Sequence, residues 1–112
     1  MTRQALGEVE HLVLLALLRL GPDAYGVPIL REIQQRTHRR VSRAAVYIAL
    51  RRLEDRSFVT SRMGEKTAER GGRARRHFTL ARRGLRALQQ TRESLVSMWQ
   101  DFEPALDRRG RR

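Results

Sequence analysis

The chain has 112 residues with 24 Lys+Arg against 12 Asp+Glu, giving a net charge of +12 and a pI near 11.7. That length fits one domain and excludes a large multi-domain enzyme. The absence of cysteine excludes disulfides, thiol catalysis and thiolate zinc sites, while the positive charge favours a polyanionic partner, nucleic acid before membrane.

The first periodic segment runs from Leu6 to Leu20. Leu6, Val9, Val13, Ala16 or Leu17, and Leu20 follow helical spacing, and Leu12, Leu14, Leu15 and Leu18 fill other faces. A helix apolar on most of its circumference is covered on more than one side. In so small a domain this predicts contact with a second chain, with Leu6, Val9 and Val13 as the candidate contacts. Glu8 and Glu10 suit the positive end of the helix dipole. The run Val9 to Leu20 falls short of the roughly 20 residues that span a bilayer, and no basic leader with a cleavage site precedes it, so neither a membrane span nor a signal peptide is expected. Gly21-Pro22-Asp23 ends the helix.

A second helix is predicted from Tyr25 or Gly26 to Thr37, with Pro28 in the first turn, where a missing N–H is no loss. Ile29, Ile33 and Leu30 form its inner stripe. His38-Arg39-Arg40 makes a short connection. Ser42 then reads as the N-cap of a third helix ending at Asp55 or Arg56. Val46, Ala49, Leu50 and Leu53 form the inner face of this helix. Arg43, Tyr47 and Arg51 recur every four residues and share another face, with Ala44 beside them.

Phe58 to Met63 has strand character, with Val59, Ser61 and Met63 on one side; Arg76 to Leu80 reads as the return strand, with Phe78 and Leu80 on one face. Between them runs the polar stretch Gly64 to Gly72, and Lys66, Arg70, Arg73 and Arg75 give the hairpin a basic tip. A last helix is predicted over Arg82 to Phe102. Leu85, Leu88, Arg92, Leu95, Trp99 and Phe102 alternate spacings of three and four, a dimerisation seam interrupted by one arginine. Pro104 stops it, and Arg108 to Arg112 form a basic tail. The order is that of an α+β, mostly α, winged helix-turn-helix with a two-stranded wing and a C-terminal dimerisation helix. Residues 1–81 are the DNA-binding domain, 82–106 the dimerisation helix and 107–112 a disordered tail.

Three stretches of this chain resemble a known family. Tyr25-Gly26-Val27-Pro28-Ile29 is similar to its entry into the second helix. Ser42-Arg43-Ala44-Ala45-Val46-Tyr47-Ile48-Ala49-Leu50-Arg51-Arg52-Leu53-Glu54 is similar to its recognition helix. Gly71-Gly72-Arg73 with Arg75-Arg76-His77-Phe78-Thr79-Leu80 is similar to its wing, and Gly84 matches a glycine soon after. The family is the PadR family of bacterial transcriptional regulators, and the resemblance covers Leu6 to Leu88. It implies a winged-helix dimer, usually a repressor, on an inverted-repeat operator in the bacterial cytoplasm and nucleoid. Two positions depart from the pattern: Ala81 stands at a threonine cap position, and Ser57 where a glycine often ends the recognition helix.

These readings make Tyr25, Ser42, Arg43, Ala44, Tyr47, Arg51, Lys66, Arg70, Gly71, Gly72, Arg73 and Arg75 the candidate DNA-binding residues. Arg43 lies in the first turn, where a helix meets base edges, and guanine is the natural partner of a bidentate arginine. Tyr47 suits phosphate. Ser42 could be a cap alone, Gly71-Gly72 a tight turn alone, and the basic hairpin tip a solvated loop. Trp99 is core or dimer packing on one reading. On another it forms, with Met98 and Phe102, a pocket for a flat aromatic effector, as in some relatives. No metal-ligand spacing, phosphate loop or nucleophile motif occurs, so no enzyme activity, metal or cofactor is expected. The alternative function is a basic module that binds RNA or the nucleoid without sequence preference.

Overall fold

The computed structural model describes residues 5–64 and 75–102. Within them, α1 spans Glu8–Leu20, α2 Gly26–Thr37, α3 Arg43–Asp55, β1 Val59–Met63, β2 Arg76–Leu80 and α4 Arg82–Trp99. The α+β, mostly helical winged-helix architecture expected from the sequence is therefore present.

Local signals set most boundaries. The first helix begins at Glu8 rather than Leu6, because Gly7 is its N-cap and the Glu10 carboxylate accepts from the Gly7 amide at 2.8 Å. Ser42 caps α3 as expected, its hydroxyl accepting from the Ala45 amide at 3.0 Å. Such a cap contributes about 1 kcal/mol. At the other end of α3, the amide of Ser57 donates to Glu54 and that of Phe58 to Leu53, both at 2.9 Å. This is the Schellman arrangement, which requires a left-handed residue after the cap; Ser57 takes it with φ +63°. A glycine would carry less strain there.

The core forms where α1, α2 and α3 cross. Val13, Leu14, Ala16 and Leu17 of α1 meet Ile29 and Ile33 of α2 and Val46, Ala49, Leu50 and Leu53 of α3. Phe58, Val59 and Phe78 close it from the hairpin, and Ala87 and Leu88 from α4. Thus α4 is divided. Its first turns lie on the core at Gly84, Ala87 and Leu88, and every residue from Arg92 to Phe102 is exposed.

The hairpin pairs antiparallel from Val59↔Leu80 to Met63↔Arg76. Ala24 adds a third, one-residue rung: its amide donates to the Phe78 carbonyl at 3.0 Å, and the Phe78 amide donates back at 2.6 Å. The loop after α1 is thereby sewn to the wing, a link with no signal in the sequence pattern.

Two expectations need correction. Phe102 does not belong to the last helix, which ends at Trp99 with Gln100 as cap and Asp101 in a left-handed conformation (φ +71°). The predicted seam therefore stops one position early. Val13 (0% exposed) and Leu88 are inside the subunit's own core, so neither has surface left for a second chain. A heptad marks apolar positions but not which body covers them. The leucines that α1 does expose are Leu15, Leu18 and Leu20.

Candidate nucleic-acid interface

Burial of Val46, Ala49, Leu50 and Leu53 turns the rest of α3 outwards. Arg43, Ala44, Tyr47, Ile48, Arg51, Arg52 and Asp55 are all exposed. Three arginines on one helix give this face a strong positive potential, with His38, Arg39 and Arg40 also exposed in the connection before it. Arg39 is anchored by an ion pair to Glu8 at the start of α1.

The position of Tyr47 depends on a glycine. A Cβ at Gly26 would lie 2.2 Å from the Tyr47 hydroxyl oxygen, so only a glycine at the start of α2 lets the phenol rest there. Tyr47 remains 44% exposed. Its hydroxyl therefore sits at the amide-rich end of α2, a corner suited to phosphate. This explains the Tyr25-Gly26 pair physically: the glycine makes room for the tyrosine of the next helix.

Tyr25 itself is half-buried at the root of the wing. The edge of its ring meets His77 (centroids 5.8 Å apart), and the Arg75 guanidinium lies 4.3 Å above it. Arg75 was expected at the hairpin tip, but it sits beside the last rung of the ladder, where its carbonyl accepts from Gly64 at 2.6 Å. His77 Nδ1 donates to the Asp23 carbonyl (2.9 Å), and the Asp23 carboxylate accepts from Arg62 (3.0 Å). The Arg62 hydrogen bond holds the Asp23 carboxyl below its usual range. These contacts tie the wing to the start of α2, so the relative placement of wing and helix-turn-helix is built in. On the opposite face of the hairpin, Glu54 accepts from Ser61, whose hydroxyl also accepts from Arg76 at 2.9 Å.

Lys66, Arg70, Gly71, Gly72 and Arg73 lie outside the described residues. Ser42, Arg43, Ala44, Tyr47 and Arg51 are brought together on α3, and Tyr25 and Arg75 beside it. Sequence reasoning did not single out Ile48, 52% exposed on the same helix. The signal was available, since Ile48 lies one turn beyond Ala44 and off the inner stripe. Among the described residues no group of His, Asp or Glu could hold a metal ion, and no helix is long and apolar enough to cross a membrane.

A helix-turn-helix whose second helix is basic and exposed, followed by an antiparallel wing, defines the winged-helix class of DNA-binding regulators. Residues 14–90 match the transcriptional regulator PadR-like family, and the chain belongs to that family. Its fold is similar to that of a PadR family transcription regulator from hypervirulent Clostridium difficile, at 20% identity and a TM-score of 0.68, covering 91% of this chain and 97% of that one. A transcriptional regulator from Clostridium thermocellum is 24% identical with a TM-score of 0.69, covering 81% and 85%. A PadR-like regulator from Bacillus cereus is 16% identical with a TM-score of 0.69, covering 88% and 90%. No curated protein matches the sequence.

Proposed function

We propose that this regulator is a dimeric repressor that binds an inverted-repeat operator and is released by a small-molecule effector in the bacterial cytoplasm. The observation that carries the DNA reading is the exposed basic face of α3, capped at Ser42 and placed beside the wing. In this reading α3 enters the major groove, with Arg43 and Arg51 available to base edges or phosphate. Tyr47 meets phosphate at the start of α2, and Tyr25 and Arg75 direct the wing to flanking backbone. Residues 1–81 bind DNA, and the helix in 82–106 pairs two subunits through its exposed second half. Two-fold symmetry then sets half-sites about 34 Å apart, or a multiple of that.

The net charge of +12 also suits a module that binds nucleic acid without sequence preference. A gel shift of the DNA upstream of the protein's own gene against a scrambled duplex, at several salt concentrations, separates the two. The operator reading predicts at least a thousandfold preference that survives as salt rises. Equal affinity for both duplexes at every salt concentration would leave only the non-specific module.

For the effector, Met98, Trp99 and Phe102 present a cluster of exposed apolar side chains, Met98 at 77% and Trp99 at 44%. A planar aromatic compound stacked there would shift the equilibrium by binding one subunit spacing better than the other. Trp99 is the chain's sole tryptophan, so quenching of its fluorescence by such compounds reads this directly. No quenching across a chemically varied panel would remove the pocket.

A further inference from the structure

We infer that α3 reads thymine through an apolar pair, Ala44 and Ile48, whose contact with a C5-methyl group selects an A·T pair in each half-site. This rests on the reading of α3 as the helix in the major groove, and it adds what that helix reads. Successive residues on a helix are about 100° apart. The direction opposite the buried stripe Val46, Ala49, Leu50 and Leu53 is accordingly held by Ala44, Ile48, Arg51 and Asp55. Arg43 and Tyr47 flank this line on the α2 side, and Arg52 flanks it on the α1 side. The outermost line of the recognition helix thus begins with two apolar residues one turn apart, bounded by cations.

That arrangement fits duplex DNA by charge. Arginines at the flanks pair with the phosphates on the two walls of the groove, which leaves the central line over the base edges. Among the four base edges in the major groove, only thymine offers an apolar group. A cytosine amino group against Ile48 would lose water without gaining an acceptor. One side of Ile48 borders a cleft lined by Val9, Glu10, Ala45 and Arg52, while 52% of the residue stays open. Its χ1 is restricted by β-branching within a helix. Asp55 lies about 16 Å beyond Ala44 and about 10 Å beyond Ile48 along the helix, past the first turns that meet the bases.

The test starts by selecting bound duplexes from a random-sequence library with the full chain. Each thymine of the enriched site is then replaced by deoxyuridine, which removes the methyl group and nothing else. At one or two positions per half-site this should weaken binding about fourfold per methyl. Ile48→Ala, at a half-exposed position, should remove most of the difference between the thymine and deoxyuridine duplexes at the position under Ile48, while a position under Ala44 keeps its own. If deoxyuridine has no effect anywhere while the selected site still binds tightly, methyl readout is wrong and the operator reading stands. Methyl readout through Ile48 is equally overturned if Ile48→Ala keeps the full thymine preference. Failure to enrich any sequence would overturn both.

Discussion

Replacing Gly84 with alanine should destabilise the fold by about 3 kcal/mol and lower the thermal midpoint on the order of 15 °C. A Cβ at Gly84 would sit 2.2 Å from the Phe58 carbonyl oxygen, 2.9 Å from Leu80 Cδ1 and 3.1 Å from the Phe58 carbonyl carbon. Two of those atoms are backbone and cannot rotate away. They are also committed elsewhere, since the Phe58 carbonyl accepts from the Ala81 amide at 3.0 Å and so fixes the start of α4. Ala81 offers no side-chain cap, which leaves that bond and the close approach at Gly84 to set where α4 begins. Phe58 is fully buried, with the guanidiniums of Arg56 and Arg83 4.6 and 5.6 Å from its ring, so the β1 side is packed as well. Helix and strand must therefore separate to admit one methyl group, at the expense of Leu88 and Ala87 packing. Thermal unfolding followed by circular dichroism at fixed protein concentration checks this. Arg86→Ala, at a solvent-facing position on the same helix, serves as the reference and should change stability by less than about 0.5 kcal/mol. A Gly84→Ala midpoint within about 3 °C of the parent would show that α4 is not held at this contact.

Gly84 also marks the limit of what the sequence reveals. Its position was legible through family resemblance, but the reason for it, a carbonyl from a residue 26 positions away, was not. The third helix was legible almost throughout, because its cap at Ser42 and its inner stripe are local features with the helical period. Ser57 departs from the family pattern, and its left-handed φ of +63° explains why a glycine suits that place. The Ala24–Phe78 rung was invisible, since a single residue of strand has no periodicity. The tight placement of Tyr47 on Gly26 was invisible for a different cause, being a contact between two helices rather than a pattern in either. The apolar repeat of α4 was legible, but Val13 of α1 and Leu88 of α4, both expected to face a second chain, are buried in the subunit's own core. Period alone gives the stripe; burial decides which part of it the subunit keeps for itself.

What remains exposed on that stripe carries the second large effect. Substituting Leu95 and Trp99 together with lysine should yield a monomer whose affinity for a full inverted repeat is lower by about 100-fold or more. From Arg92 onward α4 has no buried residue, yet it presents Leu95, Val96, Met98 and Trp99 to water. Exposed clusters of this kind mark interaction surfaces, and two free helical turns are not stable without packing. A second copy of α4, lying along the first or against Leu15 and Leu18 of α1, supplies that packing in the dimer we propose. Linking two half-site contacts in one body makes the second of them intramolecular, and losing the link forfeits that gain. Lysine is the informative replacement because it adds positive charge, so a fall in DNA affinity cannot come from weaker attraction to phosphate. Core residues Leu14, Ile29, Leu50 and Phe58 are untouched, and single half-site binding should stay near the parent value. Sedimentation equilibrium gives the assembly state and a gel shift on one and two half-sites gives the affinities. A variant that remains dimeric would move the interface away from the end of α4. A variant that becomes monomeric yet binds the full repeat as tightly as the parent would show that symmetry contributes nothing to recognition.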